Sequence, residues 1–150
     1  MREAIGGSFL LYLVIIFLGI YIGILMFSLS YIKAFKIKNQ IISIIEKNEG
    51  YTAEAQNQIR AYFIENRMHL GVTVTEGYCN TRNIASTNII VGVDQSFCLY
   101  EHRNVRENTI YYTVRTFIHM DVPILGDAIN AMRFGISGET IVIYEGNKLR

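Results

Sequence analysis

The sequence predicts an α+β protein: a long N-terminal transmembrane helix that continues as an amphipathic stem, a second helix, and a small antiparallel β-sheet head. Three observations carry this. Phe9 to Phe27 is a run of 19 apolar residues. Ile37, Ile41, Ile44 and Ile45 then recur at helical spacing. Beyond Gly71 the texture changes to short runs rich in β-branched and aromatic residues. The chain has 150 residues, which is short for two soluble domains. It divides instead into a membrane helix and stem over 1–50 and an extracytoplasmic α+β head over 51–150.

The first helix is dictated by the solvent it must meet. About 20 residues cross ~30 Å of hydrocarbon, and lipid offers no hydrogen-bond partner, so the segment must be helical. No charged side chain occurs between Ala4 and Ile32. A small soluble domain cannot wrap such a segment on all sides. A cleaved signal has an apolar region of roughly 7–15 residues ending at a small-residue site. This run is longer and no A-x-A comes after it, so it reads as a retained anchor. Gly19 and Gly23 form a G-x-x-x-G, which lets helix backbones approach closely. Ser30 to Asn48 has no Pro or Gly. Ile37, Ile41, Ile44 and Ile45 share one face there, while Lys36, Lys38, Glu46 and Lys47 point elsewhere. Gly50 is the expected stop. One helix from about Ala4 to Asn48 is ~67 Å long. Its apolar stripe must pack on the chain's own head or on neighbouring subunits, and these four isoleucines are the expected stem interface.

Thr52 can cap a second helix from Ala53 to about His69, with Glu54 in its first turn. Ile59, Tyr62, Phe63 and Ala55 form its apolar side, and Gly71 ends it. Val72 to Thr75 alternates and reads as a strand. Asn88 to Val93 and Phe97 to Tyr100 are short apolar runs split by Asp94-Gln95-Ser96. Asn104 to Asn108 reads as a hairpin loop. Thr109 to Met120 is the clearest strand. Its face of Ile110, Tyr112, Val114, Thr116, Ile118 and Met120 should meet the core, with Tyr111, Thr113, Arg115, Phe117 and His119 opposite. Phe134 to Tyr144 resembles a closing hairpin.

Two signals disagree on the side of the membrane. Lys33, Lys36 and Lys38 stand just past the apolar run, and the positive-inside rule would place the stem and head in the cytoplasm. Cys79 and Cys98 are an even pair in a small domain, which outside the cytoplasm reads as a disulfide. Two separate buried thiols are the alternative. The lysines can equally reach lipid head groups beyond the outer leaflet, and the head is expected outside.

Composition excludes several classes. Lys plus Arg number 14 against 13 Asp plus Glu, so this is no polybasic nucleic-acid binder. His69, His102 and His119 share no metal-ligand spacing. Asp121 and Asp127 flank Pro123 but lack the further ligands calcium needs. Gly135-Ile-Ser-Gly138 fails as a nucleophile elbow at its fifth position. No Gly-rich phosphate loop carries a lysine. No catalytic residue, metal or cofactor is therefore expected. The ten tyrosines and eight phenylalanines are accounted for by core and membrane positions.

The local strings resemble TadE-like proteins, the minor pilins or pseudopilins of tight-adherence pilus systems, in their Gram-positive forms. The strings are Ile5-Gly-Gly-Ser-Phe9 at the membrane entry, Tyr31 to Asn39 and Ile45 to Tyr51 on the stem, Val122-Pro-Ile-Leu-Gly126, and Ile136-Ser-Gly-Glu-Thr140. Twenty-four isoleucines fit an AT-rich genome. The resemblance implies a non-enzymatic, membrane-anchored, pilin-like subunit or assembly component. Its partners would be the bilayer, other pilin-like subunits or assembly machinery, and further copies of itself through the helices. Such proteins often place a Glu inside the apolar run; here the only early acid is Glu3. The alternative is a single-pass tethered binding or sensory module, marked by a pocket on the head. A membrane-bound enzyme would need titrating groups gathered in one cleft.

Overall fold

The computed structural model describes residues 2–66, 73–80, 88–118 and 134–144, with side chains from residue 7 onward. Helix α1 spans Arg2–Lys47 without a break, about 69 Å at 1.5 Å per residue. Its two halves live in different surroundings. Residues 7–33 are almost wholly exposed, and the most apolar 18-residue stretch, mean hydropathy 2.8, has nothing buried. This half is long and apolar enough to cross a membrane. From Ala34 onward the helix enters the head: Ala34, Ile37, Ile41, Ile44 and Ile45 are buried.

The end of α1 is built by hydrogen bonds rather than by glycine alone. Gly50 N–H donates to Ile45 O (2.9 Å) and Glu49 N–H to Glu46 O (3.1 Å), the pair of bonds that closes a Schellman motif. The left-handed residue is Glu49 (φ 52°), with Gly50 next at φ 139°. Helix α2 starts at once and spans Ala53–Glu65, its first turn capped by Thr52 Oγ1, which accepts from Ala55 N–H at 3.3 Å. Asn48 ties the two helices, donating from Nδ2 to Ile44 O (2.8 Å) and to Gln58 Oε1 (3.1 Å).

Among the described residues, five strands form one antiparallel sheet: β1 Asn88–Val91, β2 Cys98–Asn104, β3 Thr109–Phe117, β4 Gly135–Glu139 and β5 Ile143–Tyr144. The order is β1-β2-β3-β4, with β5 also on β3. The loop expected at 104–108 is the β2–β3 turn, and Asn108 takes φ 50° there. Side chains alternate between two faces, as a pleated strand requires. Leu99, Ile110, Tyr112 and Val114 meet Ile37, Ile41, Ile45, Ile59 and Phe63 in the main core. Cys98, Tyr100 and Phe117 belong to a second core on the other face.

Two expectations need correction and a third is extended. Thr73–Thr75 is not a strand; Thr75 leads into a single-turn helix α3, Glu76–Cys79, and Val74 N–H donates to Gln95 O (2.7 Å) in the β1–β2 turn. The face of Thr113, Arg115 and Phe117, opposite the expected core face, is a core face as well. All three residues are buried, and Phe117 packs with Val74, Cys79, Cys98 and Tyr100 in the second core. The closing segment is no hairpin. β4 and β5 lie one after the other along β3, pairing Phe117↔Gly135 and Ile110↔Ile143. Thr140 bridges the gap: its N–H donates to Tyr112 O and its Oγ1 accepts from Tyr112 N–H, both at 2.9 Å. The next amide, Ile141 N–H, turns away to Glu46 Oε1 (2.9 Å) on α1.

The isoleucine stripe therefore belongs to the head's own core. Replacing Ile41 with Ala should destabilise the head by about 2–5 kcal/mol, the range for truncating a buried aliphatic side chain. Ile24→Ala, on the bare half, should leave its unfolding midpoint unchanged. Denaturant unfolding of the detergent-solubilised chain, monitored by tyrosine fluorescence, checks both.

Candidate functional site

Four features are candidates for function: the disulfide, the lysines beyond the apolar run, the bare helix half, and a cleft at the far end of the head. Cys79 and Cys98 are disulfide-bonded, Cα to Cα 5.6 Å. The bond ties α3 to β2, and the Tyr100 hydroxyl locks the same junction by donating to Cys79 O at 2.8 Å. Burial pushes the Tyr100 hydroxyl above its ordinary pKa, opposed by the neighbouring Arg115. Arg115 crosses the outer face under Gly135, where a Cβ would stand 2.5 Å from its Nε. That Nε is buried with no hydrogen-bond partner among the described residues. The guanidinium lies 5.4 Å from the Phe117 ring centroid.

The three lysines do not act alike. Lys33 and Lys36 are exposed on α1, open to lipid head groups. Lys38 is not: it is 7% exposed and lies beneath β4. A Cβ at Gly138 would sit 2.9 Å from its Nζ, and the ammonium stands 4.3 Å over the Phe35 ring. No carboxylate among the described residues comes within ion-pair reach of it. Burial lowers its pKa from the ordinary 10.5. Head-group contact is withdrawn for Lys38, because the glycine at 138 leaves a slot that its stem fills.

Of the two packing surfaces expected for the stem stripe, the structure shows the chain's own head. Ile37, Ile41 and Ile45 are fully buried against the chain's own sheet and α2, so they offer nothing to a neighbour. The apolar half is what lies open. Gly19 and Gly23 have no atom within 4 Å of an added Cβ, so close approach of a second helix there is sterically free. The head reaches this half at Phe134, which stands against Phe27 with ring centroids 6.1 Å apart.

The cleft opens at the end of the head farthest along α1 from the apolar half. It encloses about 520 Å³ between the α1–α2 junction and the ends of β2, β3 and β5, within the usual range for small-molecule sites. Tyr51, Tyr112 and Tyr144 supply aromatic walls, Ile110 and Ile143 a floor, and Glu49, Thr52, Arg103 and Asn108 the polar groups. Tyr51 is held by a backbone hydrogen bond with Val93, and burial raises its hydroxyl pKa. Arg103 Nε lies 3.5 Å from Glu101. Sequence alone marks no residue of this cleft as a site. Gly50 and Asn108 read there only as turn signals, and the tyrosines as core.

No group of three His, Cys, Asp or Glu that could hold a metal ion exists among the described residues. His102 stacks on Tyr111 (centroids 4.5 Å) and reaches Thr113 Oγ1 at 3.0 Å. His69, His119, Asp121, Pro123 and Asp127 lie outside the described residues. No known protein family, curated protein or solved structure matches the chain.

Removing the disulfide with Cys79→Ser and Cys98→Ser together should cost the head about 3 kcal/mol, read as a lower unfolding midpoint that dithiothreitol reproduces in the parent chain. Lys38→Met should be as stable as the parent chain or more so at neutral pH, because a buried charge without a carboxylate is replaced by an apolar chain of similar length. The sign of the pH effect is fixed. The unfolded chain holds the Lys38 proton more tightly than the folded one, so stability rises with pH between the lowered pKa and 10.5. Lys38→Met should lose that contribution, measured by unfolding midpoints across alkaline pH.

Proposed function

We propose that the chain is a non-enzymatic, single-pass membrane-anchored protein with its head outside the cytoplasm, acting as a pilin-like subunit or assembly component of a Tad or type IV-like pilus or secretion system. One observation carries the reading. A single unbroken helix is divided into a half wrapped by its own head and a half left bare over residues 7–33. A bare apolar helix is as comfortable against other apolar helices as in lipid. It can therefore pass from bilayer to helix bundle at little cost, carrying a preformed head with it. The disulfide supports an outside head, since such bonds persist in oxidising compartments. The pilus context comes from the resemblance to TadE-like proteins.

A membrane-tethered binding or sensory module is the second reading, favoured by the cleft at the far end of the head. It shares the anchor and the disulfide, but needs no contact between helices.

Cysteine scanning separates the two. Cysteines placed singly at positions 15–26 of the full chain, expressed in cells, should crosslink to a neighbouring helix with a period near 3.6, through the face bearing Gly19 and Gly23. No crosslink at any position leaves the tethered module. Topology is tested in parallel with a membrane-impermeant maleimide. Labelling of Cys79 and Cys98 in intact cells only after reduction supports an outside head, whereas labelling only after lysis would sink the pilus-associated reading.

A further inference from the structure

We propose that the cleft at the far end of the head is a binding site for a neutral sugar, one or two rings in size, with the Tyr144 ring as its stacking platform. This rests on the head being a binding surface and is independent of whether the helix assembles with others. The volume of about 520 Å³ suits a small ligand. The lining selects its chemistry. Glu49 and Arg103 contribute one charge of each sign, and Arg103 already has Glu101 at 3.5 Å. Neither an anion nor a cation gains from such a balance. A single carboxylate in the lining is too few for a hard metal ion. A lipid chain would bury the Glu49 carboxylate and the Asn108 amide against hydrocarbon at a desolvation cost. A pyranose uses both kinds of wall: its C–H face packs on an aromatic ring, and its hydroxyls meet short polar side chains from the rim.

Two residues stand out. Tyr144 is 71% exposed at the mouth, an aromatic ring in water that no core requires. Glu49 is disfavoured locally on two counts. It takes φ 52°, a region open chiefly to glycine and asparagine. It also sets a carboxylate just past the C-terminus of a 46-residue helix, the negative end of its dipole. A residue that weakens its own helix cap has a reason outside the fold when it lines a cleft.

Glu49→Gly should relieve both local penalties, so the variant should melt no lower than the parent chain. A purely structural role predicts nothing more. A binding role predicts a loss of affinity in a protein that is no less stable. The full chain in nanodiscs would be titrated with maltose, cellobiose, lactose and N,N′-diacetylchitobiose, with saturation-transfer NMR as the readout. At least one should bind saturably in the millimolar range. Glu49→Gly and Tyr144→Ala should each weaken it about tenfold, and Ile64→Ala, exposed on α2, should not change it. Absence of saturable binding by all four sugars overturns the proposal. Binding that survives both Glu49→Gly and Tyr144→Ala does the same.

Discussion

Everything in the head depends on covering one stripe. Ile37, Ile41, Ile44 and Ile45 project from α1 beyond its bare apolar half, and burying each is worth about 1.5–3 kcal/mol. The sheet supplies the cover through Leu99, Ile110, Tyr112 and Val114, and α2 closes the side through Ala55, Ile59 and Phe63. Three of the sheet's contributions come from β3 alone, which makes that strand the keystone. Where β3 leaves the main core, the Thr116 hydroxyl donates to Ala34 O at 3.1 Å, so a buried polar group is satisfied by the helix it packs on. The head cannot be detached from the stem without opening its own core.

That dependence separates two roles often assigned to one amphipathic helix. An apolar stripe beyond a membrane segment can serve the domain or serve a partner, but the same atoms cannot do both. Here the stripe is used internally, so it is closed to association between copies through α1. Among the described residues, Phe134 meets the bare half at Phe27. Lys33 and Lys36 lie just beyond this contact and remain exposed, where an interface with charged lipid would hold them.

How much of this is legible in the sequence depends on the range of the signal. α1, α2 and β3 each carry a long periodic pattern; the core faces of the two helices and the main-core face of β3 are those the spacing implies, while the second buried face of β3 is not. Thr52 is a cap by residue type and by hydrogen bond. The failures come from short segments governed by distant atoms. Val72 to Thr75 alternates like a strand, yet Val74 in its described part bonds to the turn at Gln95. The cleft draws its walls from residues 49–52, 103–112 and 143–144. No window of sequence contains it, and each lining residue has a bland local account. Lys38 reads as an interfacial lysine by its position, but the missing side chain at Gly138, a hundred residues on, decides where it lies.

The strand β4 turns that last point into a constraint on the sheet's edge. Its sequence, Gly-Ile-Ser-Gly-Glu, has poor strand propensity, and glycine in a strand marks a close approach by another group. Both glycines meet this description. Arg115 passes under Gly135 on one face, and Lys38 passes under Gly138 on the other. The strand is thus held between two buried cations, and a Cβ at either glycine would collide with one of them. Just beyond, the edge is broken at Thr140 and its next amide is taken by Glu46. Inward-pointing charge and an interrupted ladder are the devices by which sheets avoid adding foreign strands. An edge so protected makes β4 a poor place for a foreign strand to pair. Among the described residues the longest apolar surface left uncovered is the bare half of α1.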